Sequence, residues 1–148
     1  MDHQLLSELE RLASEPSERE SFLRETVRLI QRLFPHYTWV GFYFLQGDKL
    51  HVGPYVGKPT PHTVIELNSG ICGAAVSEDK TIIVDDVNAD PRYLACSLET
   101  KSEIVVPLRV QGKMVGELDI DSDRKAAFAD DDRRLLEAAA EIISGRLS

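Results

Sequence analysis

Two cysteines and a small set of acidic residues carry the chemistry that this sequence offers. Cys72 sits in Gly70-Ile71-Cys72-Gly73, just after an Asn68-Ser69-Gly70 breaker, and so falls in the first turn of a short predicted helix. Unpaired amide hydrogens and the helix dipole favour a thiolate there, and this position is expected to lower the thiol pKa. The competing reading is a small buried apolar side chain, the usual condition of a free cysteine. Cys96 lies in Leu94-Ala95-Cys96-Ser97, inside a polar connection over residues 85–101 that contains Pro91 and shows no periodicity. Connections of that length within a compact domain are usually functional. A loop thiol is not needed for packing and is expected to be accessible, either as a nucleophile or as an incidental surface group. A nucleophile and a resolving thiol must come from separated segments that fold onto one pocket, which Cys72 and Cys96 can do.

The acidic residues are Glu103, Asp119 and Asp121. Glu103 opens a predicted strand, while Asp119 and Asp121 flank Ile120 near the end of the last one. Alternation sends Asp119 and Asp121 to one side of the sheet together with Glu117, and sends Leu118 and Ile120 to the other. Adjacent carboxylates repel, so at least one is expected to titrate high and could donate a proton or hold an ammonium group. A solvated polar face is the alternative. Trp39, the single tryptophan, either fills core space or, facing the loops, lines a pocket. His62, in Pro61-His62-Thr63, is expected at the surface or in a supporting role.

These residues have to be positioned by the elements around them. Leu5, Leu6, Leu9 and Leu12 recur at helical intervals up to Pro16. A second helix is expected from Ser17, capped with Glu20, with an apolar stripe of Phe22, Leu23, Val27, Ile30 and Leu33. Residues 37–45 and 49–56 read as a hairpin around Gln46-Gly47-Asp48, followed by a short strand near residues 63–67, the helix over 71–77 and another short strand over 80–84. A second hairpin, residues 104–110 and 114–120, turns at Gln111-Gly112-Lys113, and a helix begins near Asp130. The order predicts one α/β (α+β) domain over residues 1–148. Its sheet is mostly antiparallel, with terminal helices on one face and ligand-pocket loops on the other.

Composition narrows the partners. A chain of 148 residues with 43% hydrophobic content can bury a core, and its net charge of −8 disfavours nucleic acid and anionic membranes. Met1-Asp2-His3-Gln4 shows no basic stretch leading into an apolar run, so no signal peptide is expected and a cytoplasmic location is. Two cysteines, with histidines at no ligand spacing, cannot complete a zinc site unaided, and no metal or cofactor is expected.

The ordered set Trp39-Val40-Gly41-Phe42-Tyr43, Gly53-Pro54-Tyr55-x-Gly57-Lys58, Gly70-Ile71-Cys72-Gly73-Ala74-Ala75, Ser102-Glu103-Ile104-Val105-Val106-Pro107-Leu108 and Gly116-x-Leu118-Asp119-Ile120-Asp121-Ser122 resembles the GAF-domain free methionine-(R)-sulfoxide reductases, from about Leu5 to the C-terminus. The resemblance implies a GAF fold and reduction of free methionine-R-sulfoxide through a cysteine sulfenic acid and a disulfide, recycled by thioredoxin. It implies Cys96 as the catalytic thiol and Cys72 as a second redox cysteine. Glu103, Asp119 and Asp121 would hold the polar end of the substrate and assist at its oxygen, with Trp39 walling its methyl group. Homodimers through the long helices are common among GAF domains. The family's usual further cysteine, upstream of the Gly-x-Cys-Gly turn, is replaced here by the stretch Thr60-Pro61-His62-Thr63. The resolver is then Cys72 or an external thiol, and a non-catalytic GAF sensor is the alternative reading.

Overall fold

The computed structural model describes residues 2–93 and 99–148. Two helices come first, α1 (Asp2–Ser14) and α2 (Arg19–Leu33). The stripe Phe22, Leu23, Val27, Ile30 and Leu33 is buried as its spacing predicts. The start of α2 differs from expectation. Its N-cap is Glu18, which makes no side-chain capping bond, so the Ser17–Glu20 box does not form. The Ser17 carbonyl instead accepts a hydrogen bond from the Arg146 guanidinium at 2.7 Å, which engages that residue with the C-terminal segment. Half of such a box occurs on the last helix, α4 (Asp130–Ser144), where the Asp132 carboxylate accepts from the Ala129 amide at 2.8 Å, while the Ala129 methyl can accept nothing in return.

Six strands form one sheet: β1 (Tyr37–Gln46), β2 (Lys49–Val56), β3 (Val64–Glu66), β4 (Ile82–Val84), β5 (Ser102–Val110) and β6 (Lys113–Ser122), in the order β3-β2-β1-β6-β5-β4. Every neighbouring pair is antiparallel. Leu118 and Ile120 of β6, with Val40 and Phe42 of β1, pack into the core beneath α1, α2 and α4. The opposite face carries a second apolar cluster containing Trp39, Tyr43, Ile65 and Val105, closed by the short helix α3 (Gly70–Glu78). The polar connection after β4 contains a 3-10 turn, Val87–Ala89, in which the Asp86 side chain accepts from the Asn88 amide. This is the expected α+β layout.

Two local devices aim the functional face. Between Tyr37 and Trp39 the pairing of β1 with β6 slips: Tyr37 opposes Ser122, whereas Trp39 opposes Asp121. The extra residue is a β-bulge, and it lets Tyr37 and Trp39 join opposite cores although simple alternation would place them together. Gly41 then leaves room for the indole. A Cβ there would come within 2.5 Å of both Trp39 Cη2 and Tyr55 Cβ. The Trp39 ring stacks on Tyr55 with centroids 5.1 Å apart, and its Nε1 donates to the Lys58 carbonyl at 3.1 Å.

Gly41→Ala is therefore expected to destabilise the fold by about 1–3 kcal/mol through overpacking. Urea unfolding measures this, and an unchanged midpoint would show that the indole is free to move aside.

Candidate active site

The pairing register of three strands builds the site. On the face away from α1, α2 and α4, β6 presents Glu117, Asp119 and Asp121. Opposite these, β1 supplies Tyr43, Gly41 and Trp39, and β5 supplies Pro107, Val105 and Glu103. Glu103, Asp121 and Trp39 therefore form one row across the sheet, and Asp119 faces the space left by Gly41. Gly70, with φ of 69°, opens α3 in a conformation that L-residues with side chains rarely adopt. Cys72, in the first turn of α3, points down onto this face, and its Sγ lies 3.5 Å from Asp119 Oδ2.

All of these groups are withdrawn from water. Cys72, Glu103, Asp119 and Asp121 are buried, and Glu117 is 0% exposed. Glu103 lies beside both Asp119 and Asp121, and its influence holds their carboxyls lower than burial alone would. Among the described residues, no Lys or Arg forms an ion pair with Glu117, Asp119 or Asp121. Burial pushes the carboxyls of Glu117 and Asp121 well above the carboxylate range, and the charge of Asp119 adds to both. Asp119 itself is raised by burial and moderated by its bonds to Glu103 and Cys72. The expected upward shift is present, although desolvation outweighs the mutual repulsion on which the expectation rested.

Cys72 requires a correction. Its place at the helix N-terminus suggests a lowered thiol pKa, but burial pushes the thiol well above its ordinary value, and the charges of Asp119, Glu117 and Glu103 push it further. The positive end of a nine-residue helix cannot offset full desolvation beside that much acidic charge.

The small cavity at the centre, about 20 Å³, is lined by Tyr43, His62, Ile71, Cys72, Glu103 and Asp119, among others. That is room for about one water molecule, so an amino-acid ligand requires the pocket to widen. A larger groove of about 710 Å³ lies between β5 and α4, but it is lined by peripheral groups such as Arg109, Glu137 and Glu141, and none of the buried acids reaches it. Trp39 lies on the pocket side of the sheet, the less expected of its two placements. Cys96 falls within residues 94–98, outside the described residues. On either side of that segment, Tyr93 packs against the apolar cluster containing Cys72, and Glu99 pairs with Lys58 at 2.8 Å.

Tyr43 and Glu117 do not stand out as site residues in the sequence. Tyr43 is buried and donates from its hydroxyl to the His62 carbonyl at 2.8 Å, which ties the pocket rim to β1. Its signal was available in the Trp39-x-Gly41-x-Tyr43 alternation. His62, expected at the surface or in support, lines the cavity and meets Tyr43 through its backbone.

Two consequences are measurable. With Cys96 replaced by serine, Cys72 should react with a thiol reagent at least tenfold more slowly in the folded than in the urea-unfolded chain, since a buried neutral thiol is a poor nucleophile (about tenfold being a lower bound). Equal rates would show that the thiol is exposed. The raised carboxyls mean that the folded chain holds protons which the unfolded chain has already released, so stability falls as pH rises above the ordinary carboxylate range. Glu117→Gln should therefore stabilise the protein at about pH 8, on the order of 1–3 kcal/mol, with the gain shrinking toward about pH 5. A gain independent of pH in denaturant unfolding would contradict this.

Comparison with known proteins agrees with this geometry. The GAF domain family matches residues 18–147. The protein YtsP of Bacillus subtilis is 36% identical over 99% of this chain and 91% of its own length. The free methionine-R-sulfoxide reductase of Escherichia coli is 36% identical over 76% of this chain and 67% of its own. Among solved structures, free methionine-R-sulfoxide reductase from Neisseria meningitidis in complex with its substrate superposes with a TM-score of 0.93 at 33% identity, covering 98% of this chain and 87% of that one. The chain belongs to the GAF-domain family of free methionine-R-sulfoxide reductases.

Proposed function

We propose that this protein is a thiol-dependent reductase that converts free methionine-R-sulfoxide to methionine. The observation that carries the reading is the buried acid group. Glu103, Asp119 and Asp121 are registered beside Trp39, with a cysteine sulfur 3.5 Å from one of their oxygens. A sulfoxide oxygen leaves poorly unless it is protonated, and carboxyls that hold their protons near neutral pH are suited to supply one. The same carboxyl face, where ionised, complements the ammonium group of a free amino acid. The Trp39 ring offers an apolar wall for the methylthio end.

In this reading Cys96 is the nucleophile. Its thiolate attacks the sulfoxide sulfur while Asp119 or Glu103 protonates the oxygen. Methionine departs with its sulfur reduced, and Cys96 becomes a sulfenic acid. The Cys72 thiol then attacks that sulfur, the S–O bond breaks as the disulfide forms, and the Cys72 proton, relayed by the adjacent Asp119, goes to the departing hydroxyl, which leaves as water. An external dithiol of the thioredoxin class returns both sulfurs to thiols. A buried thiol of high pKa suits the second step better than the first, because it stays inert until the sulfenic acid is brought to it. Tyr93 packs against the apolar cluster that contains Cys72, and Cys96 follows it by three positions in the sequence. We further propose one domain across the chain, a homodimer through the long helices, and a cytoplasmic location. The described residues contain no helix long and apolar enough to cross a membrane.

The test is turnover of each sulfoxide epimer with dithiothreitol as reductant. The R epimer should be consumed and the S epimer spared. Cys96→Ser should abolish turnover, and Asp119→Asn should lower kcat/KM by about 10²–10⁴. In a single-turnover measurement on pre-reduced protein with no external thiol present, Cys72→Ser should still release one methionine per chain and then stall as a sulfenic acid. Failure to consume the R epimer, or full activity in Cys96→Ser, removes the reading.

A further inference from the structure

The expectation that this chain has no metal site counts only cysteines and histidines. The fold adds carboxylates to the count. Cys72 Sγ and one oxygen each from Glu103 and Asp119 lie within 4.8 Å of one another, all buried and drawn from α3, β5 and β6. We propose that Cys72, Glu103 and Asp119 form a binding site for a single thiophilic divalent cation of the zinc class.

Four features support it. A tetrahedron with bonds of about 2.0–2.3 Å has edges of roughly 3.3–3.8 Å, and the 3.5 Å between Cys72 Sγ and Asp119 Oδ2 is already such an edge. Drawing in the Glu103 carboxyl needs only side-chain adjustment. Second, Asp119 Oδ1, on a fully buried carboxyl, has no hydrogen-bond partner, and the buried Glu117 carboxyl lies against Cys72. The former is an unsatisfied acceptor aimed at the site, where a cation or its bound water can satisfy it. Third, the cavity of about 20 Å³ that Cys72, Glu103 and Asp119 line has room for about one water-sized occupant. Finally, a thiolate among the ligands selects a borderline-soft ion over magnesium or calcium, which prefer all-oxygen sets. On binding, the Cys72 S–H bond breaks, its proton leaves to solvent and a metal–sulfur bond forms, with no change in oxidation state. The cation would occupy both Asp119 and Cys72. On the reductase reading, it therefore closes the pocket to the sulfoxide and withholds the resolving thiol.

The experiment is a Co²⁺ titration of the reduced Cys96→Ser protein, in which Cys72 is the only thiol. The expected result is one equivalent bound, with a thiolate-to-cobalt charge-transfer band in the near ultraviolet that Zn²⁺ abolishes. The band should vanish in Cys72→Ser/Cys96→Ser. Glu103→Gln and Asp119→Asn should each weaken binding by at least about tenfold. Zn²⁺ should raise the Tm of the wild-type chain and leave that of Asp119→Asn unmoved, which separates ligation from a folding defect. Absence of the band, or a band that survives loss of Cys72, overturns the site. The titration contains no sulfoxide, so its result is distinct from that of the turnover assay. In that assay, Zn²⁺ at saturating occupancy should stop R-epimer reduction and a chelator should restore it. Undiminished turnover by the zinc-loaded protein overturns the inhibitory role.

Discussion

Acid groups are buried side by side on one sheet face, where among the described residues no Lys or Arg pairs with Glu117, Asp119 or Asp121, and the remainder of the molecule makes that arrangement sustainable. An ionised carboxylate loses several kcal/mol or more of hydration when it is taken out of water, and no ion pair compensates Glu117, Asp119 or Asp121 here. The cluster lowers this penalty by keeping protons, since burial raises the carboxyls of Glu117, Asp119 and Asp121. The opposing apolar core, in which Leu118 and Ile120 are fully buried beneath three helices, supplies the stability that the pocket face forfeits. The two faces of β6 thus have opposite energetic signs, and strand alternation keeps them apart.

The same electrostatic pressure divides the labour between thiols. A sulfur surrounded by carboxyls and sealed from solvent is a reluctant nucleophile. That protects Cys72 from adventitious oxidation but makes it unsuitable for opening a reaction. A second, differently placed sulfur is chemically required if the pocket is to reduce anything, and Cys96 is the chain's only other cysteine.

Much of this was legible in the residues, for reasons that can be stated. Strand period two places Asp119 and Asp121 on one side and Ile120 on the other, and the structure keeps that division. The hairpins at Gly47 and Gly112, both at positive φ, followed from turn chemistry. What failed were local rules overridden by distant contacts. The N-cap of α2 falls on Glu18 rather than Ser17, and the Ser17 carbonyl meets the distant Arg146 guanidinium. The Cys72 thiol followed its buried acidic neighbours rather than its place in the helix. Alternation alone aligns Tyr43 with Trp39 and Gly41, and Glu117 with Asp119 and Asp121, but which of these residues stand opposite one another depends on pairing register, which a single sequence does not state.

The slip in β1 has a consequence for how this segment can change over time. Because one surplus residue between Tyr37 and Trp39 reverses the inside-outside parity of everything upstream, the strand tolerates exchange of side chains far better than any change in its length. Deleting one position would not trim the strand. It would rotate the aromatic entry to the sheet by half a period, sending the indole toward the helices or the Tyr37 phenol toward the acids. Substitutions can accumulate here one at a time, whereas insertions or deletions would have to come in compensating pairs.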